Sequence, residues 1–266
     1  MKKIVPGTPC ATSTPLTGMR FCVTALFACL LLLPAPALAG NTFTYSGTTT
    51  GNLYGNDNGT ASTDNPSART STPGTGSNNN VTIGSGASMT GGMPYLVGGH
   101  ESGAGANANN NTVTINGAGL GATAVHGGYA KEGNAQGNKI YITSGAILNN
   151  TFGGFASGSA SGNELHMSGG TVEALFGGMS YGGAIENNHI YVSGGTVTGC
   201  IQTSYMSDGR NNSVTISNPF GTLDLSTAQL VGQDSDTNWQ THGNTLNLKS
   251  SGISVAGLRY FQNYNF

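Results

Sequence analysis

One serine of this chain stands in a spacing that some hydrolases use for their nucleophile. Gly178, Ser180 and Gly182 form a Gly-x-Ser-x-Gly motif, and His189 and His242 follow it in the chain. In those enzymes the serine lies on a sharp turn between a strand and a helix, with an acid and a histidine as partners. No helical pattern follows Ser180, and similar glycine-rich turns recur along the chain. The sequence therefore indicates a structural turn here, and we expect no catalytic serine.

The other residues able to do chemistry are scattered. Acidic residues occur singly, as at Glu164, Glu173 and Glu186, and the tightest cluster is Asp234 with Asp236. A polysaccharide-cleaving enzyme needs carboxylates in pairs, or carboxylates with a basic residue and calcium. Glycine-rich calcium-binding repeats need an aspartate soon after each Gly-Gly pair, and this chain has none at that place. We therefore predict no catalytic residue, no metal ligand and no cofactor, and a protein that is not an enzyme.

Composition excludes several classes of protein. The chain has 266 residues, 44 of them glycine, and only 8% are charged, where about 25% is usual. Such a composition is wrong for a coiled coil or a helical bundle. The 9 Lys and Arg residues are too few for the basic footprint of a nucleic-acid-binding protein, so we expect no nucleic acid as a partner.

Residues 1–39 differ in composition from the rest of the chain and are typical of a secretory signal peptide. An apolar run occupies residues 21–33, and residues 37–39 read Ala-Leu-Ala, which suits a signal peptidase. The run is too short for a membrane-spanning helix, which needs about 20 apolar residues. Translation could start at Met1 or at Met19, and a start at Met19 gives a signal of more usual length.

The rest of the chain repeats a short unit that begins with asparagine. Successive copies begin 32, 27, 25, 25, 24 and 32 residues apart. An apolar residue stands two and four positions after each asparagine, with a polar or aromatic residue between them. This two-residue period is typical of a short strand with one buried face. The anchoring asparagines are Asn79, Asn111, Asn138, Asn163, Asn188, Asn212 and Asn244.

A repeat of this length, with glycine at its turns, predicts an all-β fold, a parallel β-solenoid of about seven coils. One coil cannot bury its apolar face alone, so neighbouring coils must stack. Stacking places equivalent side chains over one another at about 4.8 Å. An asparagine amide can donate to the coil on one side and accept from the coil on the other. We therefore interpret the seven asparagines as a structural ladder and not as a binding site.

The residue midway between the two apolar positions is expected to point outwards. In three central coils it is Tyr141, His166 and Tyr191. Aromatic side chains stacked in this way form a candidate surface-binding stripe for carbohydrate or protein, and plain packing between coils explains them equally well.

The repeat also divides the chain beyond the signal peptide. Residues 40–77 are a low-complexity N-terminal segment, with candidate capping strands at 42–45 and 52–54. Residues 78–256 carry the β-helix repeats, and residues 257–266 differ from them.

Units such as NNHIYVSGGTVTG and GNELHMSGGTVEALFGGMSYGGAIENN resemble the repeats of bacterial autotransporter passenger domains. These are type V secreted proteins of Gram-negative cell surfaces. The resemblance runs from about residue 78 to the C-terminus and implies a right-handed parallel β-helix. The tail GLRYFQNYNF, residues 257–266, is similar to the junction between such a passenger and its membrane barrel. The barrel is missing from this sequence, so we expect the outer-membrane translocator to be supplied elsewhere or lost.

The resemblance implies an exported protein at the cell surface or outer membrane, or in the medium. Without a translocator it would remain in the periplasm. We expect a structural stalk or an adhesin-like binding surface without catalysis, with glycans or proteins of host or neighbouring cells as partners. Two alternatives are an extracellular carbohydrate-active β-helix enzyme and a truncated autotransporter fragment with no independent role.

Overall fold

The structure is a computed structural model that describes residues 39–70, 74–91, 94–121, 124–233 and 239–266. The predicted signal peptide, apart from Ala39, lies outside these residues, as do Asp234 and Asp236. Within them, secondary structure is strand except for two short 3-10 helices, Gly55–Asp57 and Trp239–Thr241. No helix in this part of the chain is long and apolar enough to cross a membrane.

The first sheet contains one short strand from each repeat. Its nine strands are all parallel, and each pairs only with the equivalent strand of the turns before and after it. With strands numbered in chain order, they are β1 (Thr42–Tyr45), β5 (Asn80–Ile83), β9 (Thr112–Ile115), β13 (Lys139–Ile142), β16 (Glu164–Met167), β19 (His189–Val192), β22 (Ser213–Ile216), β25 (Thr245–Leu248) and β27 (Asn263–Asn265).

The second sheet has 16 strands and covers the other sides of the solenoid. Its main path consists of β3 (Asn52–Tyr54), β4 (Ala61–Ser62), β7 (Tyr95–Val97), β11 (Ala124–His126), β14 (Gly145–Phe152), β17 (Thr171–Ser180), β20 (Gly195–Tyr205), β24 (Gln229–Val231) and β26 (Gly257–Arg259). Short strands extend it on either side: β2 (Thr48–Thr49), β6 (Ser88–Met89), β8 (His100–Glu101), β10 (Ala118–Gly119), β12 (Tyr129–Ala130), β15 (Phe155–Ala156) and β23 (Leu223–Asp224). Strands β18 (Ile185–Glu186) and β21 (Gly209–Arg210) form a separate pair.

Pairing between successive repeats is parallel throughout the described chain, except where β4 folds back antiparallel on β3. The predicted parallel β-solenoid is therefore confirmed. Six turns join the seven strands that follow the predicted asparagines, and one further strand pairs at each end of their sheet, β1 and β27. Strand β1 lies within the segment 40–77, so the stack of strands begins ahead of residue 78.

The core is a set of stacked apolar columns. Residues two positions after each asparagine are completely or almost completely buried: Val81, Val113, Ile140, Leu165, Ile190, Val214 and Leu246. The residues four positions after each asparagine form a second column, which is equally buried from Ile83 to Ile216. The facing sheet contributes Leu53, Leu96, Val125, Leu175 and Ile201 to the same cluster. Each turn thus gives the core a few side chains, and the stack makes it continuous.

The turn before each asparagine explains why the repeat begins with Asn-Asn or Gly-Asn. The preceding residue has a positive φ in all seven copies, between 54° and 71°: Asn78, Asn110, Gly137, Gly162, Asn187, Asn211 and Gly243. Glycine adopts this left-handed conformation without steric cost, and asparagine is the residue that tolerates it best after glycine. These residues therefore fix the point at which each strand of the first sheet begins.

Candidate functional site

The seven asparagines lie in one buried file along the solenoid. From Asn111 onwards, the side-chain oxygen of each accepts two hydrogen bonds from the preceding asparagine, one from the backbone N–H and one from Nδ2. The oxygen of Asn79 accepts the backbone N–H of Asn41. For Asn163 the two donors belong to Asn138, and both distances are 3.0 Å. The Nδ2 of Asn163 donates in turn to Asn188 Oδ1 at 2.9 Å and to Ala135 O at 3.1 Å. The same pattern links Asn79 to Asn111 and Asn212 to Asn244.

This ladder leaves no exposed amide for a ligand. An asparagine amide offers two donor hydrogens and one oxygen with two lone pairs, and Asn163 uses all of them within the protein. All seven side chains are at most 1% exposed. Their arrangement ties each turn to the next, and it presents no group to solvent.

The predicted outward stripe consists of three stacked rings on neighbouring strands. Tyr141 pairs with His166, and His166 with Tyr191. The ring centroids are 4.9 Å and 4.6 Å apart, with interplanar angles of 21° and 16°. The rings cover one another's faces, so their edges and the tyrosine hydroxyls face outwards. Tyr191 is the most open, at 37% exposed.

A small charged network lies beside this stripe. Glu164 accepts hydrogen bonds from Lys139 Nζ at 3.2 Å and is 3.2 Å from His166 Nε2. Burial alone would raise the pKa of Glu164, but the bonds from His166 and Lys139 hold this pKa below its ordinary value. The hydrogen bond to Glu164 raises the pKa of Lys139. The carboxylate thus stays ionised and fixes the edge of the His166 ring within the stripe.

Ser180 of the Gly-x-Ser-x-Gly motif ends a strand and is completely buried. Its Oγ donates to Gly158 O at 2.6 Å and accepts the backbone N–H groups of Gly182 and Gly183 at 3.2 Å and 2.8 Å. The hydroxyl stabilises a turn between neighbouring coils.

Sequence reasoning missed a second, largely buried set of stacked aromatic side chains, which flanks the repeated Gly-Gly pairs of the second sheet. Ahead of the glycines, side chains stack outside the main core in a first file of Tyr54, Val97, His126, Phe152 and Phe176. After the glycines, a second file contains His100, Tyr129, Phe155, Met179 and Tyr205. The two files pack against each other in clusters separate from the core. We call the two files together the aromatic groove.

The glycines let the two files meet. At Gly98-Gly99, Gly127-Gly128 and Gly153-Gly154 the chain bends between the strand of the first file and that of the second, whereas β17 continues through Gly177-Gly178 and carries both files. A Cβ atom at Gly153 would collide with the carbonyl oxygen of Gly177 in the next turn. The rings across the bend are close: the Phe155 centroid is 5.8 Å from that of Phe152 and 5.1 Å from that of His126 in the turn before. Only glycine allows backbones to stack this tightly while the flanking rings converge.

The apolar residues near the Gly-Gly pairs do not all share one column. Val125 pairs with Thr151, and Thr151 pairs with Leu175. Thr151 and Leu175 face the core, and the phenylalanine that follows each of them lies in the groove. The signal for this arrangement is in the sequence: an aromatic residue or histidine stands on both sides of the glycines in His126–Tyr129 and Phe152–Phe155.

Two histidines are buried in the groove. Burial lowers the pKa of His126 to about 3 and that of His100 to about 4. His100 Nε2 donates to Pro66 O at 2.8 Å. The Nδ1 atoms of both residues are buried without a hydrogen-bond partner among the described residues. Both imidazoles are therefore neutral at physiological pH, and each leaves a ring nitrogen unused.

Within the described part of the chain, no group of three or more His, Cys, Asp or Glu side chains is placed to hold a metal ion. Comparisons with protein-family models, with curated proteins and with solved structures gave no match. The resemblance to autotransporter passengers consequently rests on the repeat pattern and on the β-solenoid fold.

Proposed function

We propose that this protein is an exported, passenger-like β-solenoid that serves as a structural stalk or adhesin-like binding surface, without catalysis. The observation that carries the proposal is the stacked stripe of Tyr141, His166 and Tyr191 on the outer face of the first sheet. The buried asparagine ladder supports the stalk role, because it links every turn without exposing a reactive group.

The stripe is suited to polar contacts with a large partner. Its ring faces are covered by stacking, so a partner meets ring edges and tyrosine hydroxyls, with Lys139 and Glu164 beside them. Tyrosine combines an apolar ring with a polar tip and is common where one protein surface meets another. We propose glycans or proteins of host or neighbouring cells as partners, reached through an outer-membrane translocator.

Export is tested by protease accessibility of a tagged protein in intact cells of its source. Digestion without permeabilising the outer membrane is the expected result, because it requires the solenoid to lie outside the cell. Protection that ends only on permeabilisation would place the protein in the periplasm and would contradict the proposal.

The stripe is tested by replacing Tyr141, His166 and Tyr191 together with threonine. Threonine occupies the same column in other turns, at Thr82, Thr114 and Thr215, so the fold should tolerate it. We expect binding of the labelled protein to a glycan array and to intact cells to weaken by about tenfold or more, since aromatic contacts dominate such surfaces.

The matched control changes Thr114 and Thr215 to serine in the same column, which leaves the three rings in place. Binding by this control should equal that of the unchanged protein. Equal binding by the triple variant would show that the stripe serves only to pack the turns together.

A further inference from the structure

A cavity of about 310 Å³ opens in the aromatic groove, about midway along its two files. Its walls include Tyr95, His126, Tyr129, Phe152 and Phe155, and the exposed ring of Tyr181 stands at its edge. This volume is at the lower end of the range for small-ligand sites, about 300–1,000 Å³. It has room for one or two hexose rings.

The N-terminal wall of the cavity is a loop that the groove holds in place. Pro66 and Ser67 line the cavity, and Pro66 O accepts the hydrogen bond from His100. Two residues further on, the buried Arg69 forms an ion pair with Asp57 and stacks 4.2 Å above the ring of Tyr54. Several independent contacts therefore fix this wall, as a preformed binding site requires.

The opposite rim carries two amides that an irregular strand places there. The pairing of β14 with β17 shifts between Ile147 and Asn150, so that two residues of β14 face one residue of its partner. Such a bulge re-aims side chains and is common beside binding sites. Asn149 lies in this bulge and Asn150 comes directly after it, and both line the cavity.

The lining carries no ionised group. Among the described residues it contains no Lys, Arg, Asp or Glu, and burial keeps the imidazole of His126 neutral by lowering its pKa to about 3. Burial also raises the pKa of Tyr129 to about 12, so its hydroxyl stays protonated. A charged ligand would lose its hydration here without gaining a counter-charge. The site therefore favours a neutral ligand.

His126 supplies the second observation that points to a ligand. Its side chain is 3% exposed, and its Nδ1 has no partner among the described residues. This Nδ1 is itself closed to solvent, so a ligand hydroxyl in the cavity would meet the imidazole at its other ring nitrogen, Nε2. Rings for stacking, amides at the rim and an unpaired imidazole in the wall together match a ligand that has both C–H faces and hydroxyl groups.

From this juxtaposition we propose that the cavity binds a neutral sugar ring, a hexopyranose with its C–H face on the aromatic wall. Its hydroxyls bond to the imidazole of His126, the amide of Asn150 and the hydroxyl of Ser67. A purely apolar ligand would leave these groups unpaired, and a uronic acid would bring an unmatched charge. The proposal is independent of export and of the stripe, because it concerns a different surface.

The test uses the purified protein and ligand-observed NMR, followed by calorimetry. The probes are the methyl glycosides of glucose, galactose, mannose and N-acetylglucosamine, the disaccharides cellobiose and chitobiose, glucuronic acid and indole. We expect at least one neutral methyl glycoside to bind with a millimolar or lower Kd, and glucuronic acid to bind more weakly. Tighter binding of the matching disaccharide identifies the ligand as a unit of a glycan chain, and equal binding identifies a single sugar.

Two variants tie binding to the cavity. In His126→Phe the new side chain is the one that the next turn has at the same position of the file, Phe152. The variant therefore keeps an aromatic ring and removes the proposed hydrogen bond to the sugar. Tyr181→Ala removes a ring that is 61% exposed, so its fold should be unaffected even if His126→Phe fails to fold. Each should weaken sugar binding by about tenfold. The control Phe220→Ala also removes an exposed ring, one that is 82% exposed and lies outside the cavity, and it should bind sugar normally.

Three results would overturn the proposal. They are the absence of binding by every neutral sugar at millimolar concentration, binding of indole in place of sugars, and unchanged sugar binding by Tyr181→Ala. None of these results would bear on export or on the stripe, so failure here is distinguishable from failure of the proposed function.

Discussion

Thr151 is a single polar side chain in an apolar column of the core. It is completely buried between Val125 and Leu175, and its Oγ1 has no hydrogen-bond partner among the described residues. We expect Thr151→Val to raise the free energy of unfolding by about 1 kcal/mol, because valine has nearly the same shape and no hydroxyl to desolvate. Urea unfolding followed by circular dichroism measures this change.

Thr203 provides the matched control. It is as deeply buried as Thr151, but its Oγ1 donates a hydrogen bond to Gly232 O. Thr203→Val should therefore lower the free energy of unfolding, by about 1–2 kcal/mol, since Gly232 O loses its donor. If both substitutions destabilise the protein equally, the hydroxyl of Thr151 has a partner, and our description of this column is wrong.

At the scale of the element, the asparagine file is held by amides that both donate and accept. Asn163→Asp keeps the size and the acceptor but turns the donor into an oxygen that faces Asn188 Oδ1 and Ala135 O. We expect the free energy of unfolding to fall by about 3 kcal/mol or more at pH 7, because the variant buries an unpaired charge or repelling lone pairs. Chemical denaturation measures the loss.

The control for this substitution is Asn107→Asp. Asn107 is exposed, and its side chain accepts a hydrogen bond from the backbone N–H of Asn134 at 2.9 Å. Aspartate can accept that bond equally well, so its effect should be small. If Asn163→Asp lowers the free energy of unfolding no more than Asn107→Asp does, the hydrogen bonds that the Nδ2 groups donate contribute little to the stacking of turns.

The strands differ in how much of them the sequence could predict. In β13 and β16 a polar outer face alternates with Ile140, Ile142, Leu165 and Met167, so the period identified both the strand and its buried side. In β14 both faces are covered, by the core at Thr151 and by the groove at Phe152. Alternation of polar and apolar residues then cannot tell which side of the strand faces the core, because neither side is exposed.

The groove was hidden from sequence reasoning for a related reason. In three turns its two files lie on different strands, and they meet across the bend at a Gly-Gly pair. The stripe was easier to predict, because Tyr141, His166 and Tyr191 hold one position of a repeat whose register is fixed by the preceding asparagine. Register between turns was readable from the sequence, whereas contact across a bend within one turn was not.

For the molecule as a whole, the two buried histidines should make stability depend on pH. An exposed histidine in the unfolded chain has a pKa near 6.5, whereas folding holds His126 at about 3 and His100 at about 4. Below pH 6.5 the unfolded state therefore binds protons that the folded state excludes, and the free energy of unfolding falls as the pH falls. Between pH 7 and pH 5 we expect a loss on the order of 2 kcal/mol for each histidine.

Urea midpoints measured across this range test the expectation, and His126→Phe separates the two contributions. The variant should lose stability only about half as steeply as the unchanged protein below pH 6.5, because only His100 is then left to exclude a proton. His189→Phe, on the outer face of the first sheet, leaves both buried imidazoles in place and should follow the unchanged protein. Carboxylates titrate mainly below this range, so they contribute little to the slope. A flat profile between pH 7 and pH 5 would mean that the groove opens to water easily enough for both imidazoles to be protonated, and the groove would then be a mobile surface instead of a second packed core.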